Sequence, residues 1–129
     1  DGFFIVDLPG YGYAKCSQEE RKSWAKLIEY YLTQAPRLKA LALLLDCRVP
    51  PQPLDRDLAD FARAHGIALL PVLTKADKCT QIERAKLQQE WSRLLGGVVP
   101  LPVSSKDGRG VDALWDELRR MARAEDEQE

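Results

Sequence analysis

Four short apolar runs divide the chain, at residues 3–6, 41–45, 67–73 and 98–103. Each is nearly continuous in hydrophobicity, as expected of parallel strands covered on both faces. Pro71, Pro100 and Pro102 interrupt the last two and blur their ends. Between the runs the apolar spacing lengthens to that of helices. Ser17 and Glu20 make a capping box, and Trp24, Leu27, Ile28, Tyr31 and Leu32 follow on one stripe until Pro36 stops the helix. Residues 54–65 supply Leu54, Leu58, Phe61 and Ala62 and end at His65-Gly66, where the histidine reads as an exposed cap. Thr80 and Glu83 make a second capping box, with Leu87, Trp91, Leu94 and Leu95 buried before Gly96-Gly97. A last helix begins near Val111 and lines up Leu114, Trp115, Leu118 and Met121. All three tryptophans are expected as core anchors. Strands alternating with helices predict an α/β fold: a doubly wound, mostly parallel sheet with helices on both faces.

Composition narrows this picture. With 129 residues and 45% apolar content the chain can bury one core, so residues 1–124 read as one domain and the acidic residues 125–129 as a disordered tail. A net charge of −1 leaves no electrostatic footprint for nucleic acid or an anionic membrane, and no DNA partner is expected. Cys16, Cys47 and Cys79 are odd in number and widely spaced, which argues against a disulfide framework or a zinc site and for a reducing, cytoplasmic setting. No apolar stretch approaches the roughly 18 residues of a membrane span, and no secretion signal is recognisable. Residue 1 is aspartate and a motif follows almost at once, so the chain reads as a fragment or as cut upstream.

Polar clusters stand where the apolar runs end, the place where open α/β sheets bind ligands. Asp7-Leu8-Pro9-Gly10 follows the first. Its carboxylate could hold a magnesium ion through the water shell, and its glycine N–H could approach a γ-phosphate closely. The same residues also suit a plain strand-to-turn boundary. Thr74-Lys75-Ala76-Asp77 follows the third run. There the Asp77 carboxylate can accept from the ring N–H and the exocyclic amine of guanine, a donor pair that adenine lacks. The Lys75 stem can lie over the ring while its charge stays wet. An acid near a helix start is the structural alternative. Val103-Ser104-Ser105-Lys106 ends the last run, where a small residue lets a backbone N–H reach the guanine carbonyl and the neighbouring serine and lysine brace the Asp77 loop. Asp46-Cys47-Arg48, also at a strand end, reads as an ion pair or a loop anchor with Asp55 or Asp57.

With these motifs in this order the chain resembles the translation-factor-type P-loop GTPases, and within them the EngB (YihA/YsxC) family of bacterial GTP-binding proteins. The residues that carry the likeness are 6–14 (Val-Asp-Leu-Pro-Gly-Tyr-Gly-Tyr-Ala), Asp46-Cys47-Arg48, Thr74-Lys75-Ala76-Asp77-Lys78 and Val103-Ser104-Ser105. The resemblance implies GTP/GDP and Mg²⁺ as ligands, GTP hydrolysis by the intact protein, a role in assembly of the large ribosomal subunit with that subunit or its RNA as partner, and a need in normal division septation. It also implies an upstream G-x-x-x-x-G-K-[ST] loop and a first switch, neither of which occurs in this sequence. In such folds the first strand lies between those ending at Asp7 and Asp46, so a piece lacking it should be poorly stable or self-associating, and inactive alone. Tyr11 stands where many relatives carry the glutamine that orients water, which predicts slow hydrolysis, with 11–16 as the switch loop.

The alternative is a truncated, non-catalytic interaction module that keeps only the guanine-recognition half. A receiver or small oxidoreductase fits less well, since no glycine-rich dinucleotide turn follows a strand and the acids are not clustered.

Overall fold

The computed structural model describes residues 2–8 and 17–123. It divides into two compact units, Asp1–Leu38 and Lys39–Glu129.

In the first unit, residues 2–8 form no strand, contrary to the reading of 3–6. Extended backbone becomes a strand only when its N–H and C=O groups meet a neighbour, and Phe4, Ile5 and Val6 are exposed here. Helix α1 (Gln18–Gln34) starts where expected, with the Ser17 hydroxyl accepting from Glu20 N–H at 3.1 Å. Its buried residues are Ile28 and Leu32. Leu27 and Tyr31 are exposed and Trp24 is half-buried, so the inward stripe is narrower than its sequence pattern.

The second unit holds a three-stranded parallel sheet in the order β1 (Ala40–Asp46), β2 (Ala68–Thr74), β3 (Leu101–Pro102). Helices α2 (Pro53–Ala64) and α3 (Gln81–Leu94) cover one face. There Leu43, Leu45 and Leu73 pack with Ala59, Leu87, Trp91 and Leu95. Helix α4 (Val111–Arg123) covers the other, its Val111, Leu114, Leu118 and Met121 against Leu70, Val72, Leu101 and Val103. This is the expected α/β architecture.

Coverage is uneven along the sheet. The central β2 is buried on both faces from Leu70 to Leu73. β1 alternates instead: Leu41, Leu43 and Leu45 are buried while Ala42 and Leu44 are open. The register places Ala42 beside Leu70 and Leu44 beside Val72, so the open stretch continues the face that α4 covers only over β2 and β3.

Prolines set the length of β3. The Leu73 carbonyl accepts from Val103 N–H at 2.9 Å and therefore faces β3. Pro71, two residues earlier, turns to the same edge, and pairing there begins only at Val72 with Leu101. The donor that Pro71 lacks would thus point past the end of β3. Pro100 and Pro102 hold β3 to two residues, leaving Val98 and Val99 exposed, so the strand read over 98–103 is much shorter.

Two helices depart from their patterns. In α2 the buried line is Asp55, Ala59 and Ala62, while Leu54, Leu58 and Phe61 are only half-buried. In α4, Trp115 is 41% exposed, with the Arg119 guanidinium over its ring at 5.7 Å. Of the three tryptophans, Trp91 alone is a fully buried anchor.

Asp55 is 7% exposed and its Oδ1 has no hydrogen-bond partner. Burial pushes its carboxyl up to about 6. The folded form then holds the proton more tightly than the unfolded chain. Its contribution to stability is full below the ordinary carboxylate range and is lost as pH rises through about 6. Asp55→Asn removes that titration. The variant is expected to gain stability over the parent by about 1 kcal/mol at neutral pH and to lose that gain in mild acid, read from melts at the two pH values.

Candidate functional site

Three loops of the second unit meet at the ends of β1, β2 and β3, and the register explains why. Asp46 pairs with Thr74, so both strands stop at one level, and β3 joins at the same end. The Thr74 hydroxyl donates to the Leu45 carbonyl at 3.3 Å, and Cys47 N–H donates to the Thr74 carbonyl at 3.1 Å. Thr74 is thus a splice between strands.

The chain then turns sharply. Lys75 has φ +56°, and among the described residues it alone, glycines aside, lies in the left-handed region. The turn drops Ala76 into the interior, fully buried, where its N–H donates to the Val103 carbonyl at 3.1 Å. It also opens a single 3-10 turn over Ala76–Lys78 that carries Asp77. Arg84 of α3 anchors the far side by donating to the Ala76 carbonyl at 2.8 Å and to the Cys79 carbonyl.

The loop after β3 supplies the partner of Asp77. Ser104 is fully buried and its hydroxyl donates to Asp77 Oδ1 at 2.8 Å, while Asp107 N–H donates to that hydroxyl at 3.3 Å. Ser104 N–H is committed to the Arg109 carbonyl at 2.9 Å. Gly110, at φ +74°, closes the loop against Pro102, whose carbonyl oxygen would lie 2.1 Å from a Cβ built there. Ser105 and Lys106 are exposed at the tip.

The Ser104 hydrogen bond, its own backbone, and the charges of Lys78 and Lys106 hold the Asp77 carboxyl below its usual range. Asp77 Oδ2 lies 3.8 Å from Lys78 Nζ. An ionised carboxylate accepts on both oxygens, and this one is oriented by a fixed donor. It can receive a planar pair of donors from a ligand.

Asp46 adds a contact that the sequence reading missed. Its side chain is 4% exposed and takes Arg48 through backbone N–H at 2.9 Å, Nε at 3.1 Å and Nη2 at 2.9 Å. Lys75 Nζ lies 3.5 Å from Asp46 Oδ2. Arg48 therefore closes on its neighbour Asp46, where an anchor to Asp55 or Asp57 was expected. Asp46 in turn ties down the lysine beside Asp77. The clue was positional: two motifs at paired strand ends share a level.

The structure thus brings Thr74, Lys75, Ala76, Asp77, Val103 and Ser104 together, with Ser105 and Lys106 beside them. In the first unit, Asp7 is exposed and Leu8 half-buried, and neither lies at a strand end. Pro9, Gly10, Tyr11, the 11–16 loop and Cys16 lie outside the described residues, as does the 125–129 tail. No group of three or more His, Cys, Asp and Glu among the described residues could hold a metal. A single carboxylate such as Asp7 can reach a hydrated magnesium ion through its water shell but does not hold one alone. No helix among the described residues is long and apolar enough to cross a membrane.

The chain is 62% identical over 122 residues to a "probable GTP-binding protein EngB" of Oleidesulfovibrio alaskensis, covering 95% of this chain and 56% of that protein. It is 61% identical over 120 residues to the protein of the same name in Desulfovibrio desulfuricans, with 93% and 59% covered. A crystal structure described as a probable GTP-binding protein engB superposes with a TM-score of 0.80 at 19% identity, over 93% of this chain and 76% of that one; it shares the fold. No family model matches. The chain spans a little over half the length of these two curated relatives. Over more than nine-tenths of its own length, this chain is a relative of the EngB GTP-binding proteins.

Proposed function

We propose that the loops after β2 and β3 bind the base of a guanine nucleotide, and that the full-length protein is a GTP-dependent switch. One observation carries the reading: the buried Ser104 hydroxyl holds the Asp77 carboxylate by a 2.8 Å hydrogen bond. Asp77 accepts from the guanine ring N–H and exocyclic amine. Lys75, tied to Asp46, lays its stem along the ring. Ser104 N–H is already used, which leaves Ser105 N–H to meet the guanine carbonyl. Thr74, Ala76, Val103 and Lys106 shape and charge the loops. In the full-length protein, the family resemblance gives Asp7, Leu8, Pro9 and Gly10 to the γ-phosphate, with Asp7 reaching magnesium through water. Bound magnesium would neutralise phosphate charge.

The family resemblance extends this to slow GTP hydrolysis in the cytoplasm, in the service of large ribosomal subunit assembly and normal septation. Titration of the full-length protein with GDP, GTP and ATP, with and without magnesium, tests the base reading. A clear preference for both guanine nucleotides is expected; equal affinity for ATP would overturn it.

Ser104→Ala removes the brace and leaves Asp77 to orient itself. Guanine nucleotide affinity is expected to fall about tenfold, or ~1.4 kcal/mol, the size of one hydrogen bond to a charged group. Calorimetric titration with GDP checks this.

A further inference from the structure

Cys47 and Cys79 flank the turn that carries Lys75 and Asp77. Cys47 follows β1, is 6% exposed, and donates its thiol hydrogen to the Lys75 carbonyl at 2.9 Å. Cys79 ends the 3-10 turn, is half-buried, and packs against the apolar cluster that contains Cys47. Neither is bonded to another cysteine. Burial first, and then the neighbouring Cys79 side chain, push the Cys47 thiol up to about 12.

We propose that Cys47 and Cys79 form an oxidation-sensitive pair, joined to a disulfide by a peroxide, whose closure deforms the Lys75–Asp77 turn. The consequence for nucleotide rests on the guanine reading above; the bond and the deformation do not.

The half-buried Cys79 meets the oxidant first. Its sulfur attacks one peroxide oxygen, an S–O bond forms as the O–O bond breaks, and the released hydroxide takes the thiol proton as water. The Cys47 sulfur then attacks the sulfenic sulfur. An S–S bond forms, the S–O bond breaks, and hydroxide leaves with the Cys47 proton as a second water. Two thiols have lost two hydrogens and the peroxide is reduced. Cys47 resists ionisation, so closure is slow and responds to sustained oxidant.

A disulfide of about 2.05 Å is shorter than any contact between two thiols, so one residue must move. Cys47 is held at the strand end by its N–H to Thr74. Cys79, which follows a three-residue turn, is the freer of the two. Its displacement pulls on the Arg84 anchor at Ala76 and Cys79, and the bonded Cys47 sulfur no longer donates to the Lys75 carbonyl. Lys75 then loses a hydrogen bond that helps to hold its left-handed backbone.

The test treats the full-length protein with hydrogen peroxide and maps unreduced peptides by mass. Amide exchange across 75–79 and GDP affinity are followed on the same samples. A 47–79 linked peptide, exchange over 75–79 faster by about tenfold, and GDP affinity weaker by about tenfold are expected. All should be reversed by dithiothreitol and absent in Cys79→Ser. Free thiols at 47 and 79 after prolonged oxidation would overturn the pair, and so would a bridge of either one to Cys16. A 47–79 bridge with unchanged exchange would overturn the deformation. Reduced protein with no guanine preference, yet with the bridge and the exchange change intact, sinks the guanine reading and leaves the thiol pair standing.

Discussion

Asp77→Asn is expected to weaken GDP and GTP binding at least a hundredfold while leaving the fold intact. The amide presents a donor where the base also presents donors. At the oxygen that the amide nitrogen replaces, the bond becomes a clash of like groups, and the other bond, now to a neutral amide oxygen, loses its charge assistance. At about 1.5–3 kcal/mol per charge-assisted bond, the combined loss is on the order of 3 kcal/mol or more. ATP, which offers adenine no such donor pair, should bind the variant and the parent alike. Titrations of both proteins with GDP and ATP give the ratio directly. An unchanged preference for guanine would remove Asp77 from the site, and with it the reading of all three loops.

Gly110→Ala is expected to have the largest effect on stability. Its Cβ would lie 2.1 Å from the Pro102 carbonyl oxygen and 3.4 Å from Val103 Cα, both backbone of the segment that leads into Ser104. Backbone cannot step aside as a flexible side chain can. The φ of +74° adds strain of its own. The cost should be about 3 kcal/mol, or roughly 10 °C in Tm. Gly108→Ala is the control, since φ is +82° there and nothing lies within 4 Å. It should cost only about 1 kcal/mol. Equal melting of the two variants would show that the close approach at Gly110 does not matter. Because Gly110 sets the path of the Ser104 loop, the folded fraction of the variant should also bind GDP more weakly.

Local chemistry explains which features were legible in the sequence. The capping box at Thr80 and Glu83 and the Leu87, Trp91, Leu95 stripe act within one helix, and both appear in the structure. Asp77 and Ser104 could be singled out because each ends a strand in a recognisable cluster. The Asp46–Lys75 contact could not, since it spans 29 positions and exists only because β1 and β2 pair in one register. The inward line of α2 was misread for a different reason. Pattern reading favours large apolar residues and so passed over Ala59, which is buried there with the expected Ala62, while Leu58 and Phe61 are left half-exposed. Trp115 misled in the same way, as a bulky residue on an amphipathic helix that is nonetheless partly open. Residues 3–6 show the limit of composition: an apolar run supplies the material of a strand but not the neighbour that makes it one.

Ala76 N–H to Val103, Ser104 to Asp77 and Arg84 to Ala76 lace the loop after β2 into its surroundings. On the guanine reading, this rigidity has a kinetic meaning. A recess already in its bound shape need not wait for a rearrangement at encounter, so right and wrong purines should arrive at similar rates. Discrimination would then be expressed in residence time, with adenine nucleotides leaving early and guanine nucleotides lingering.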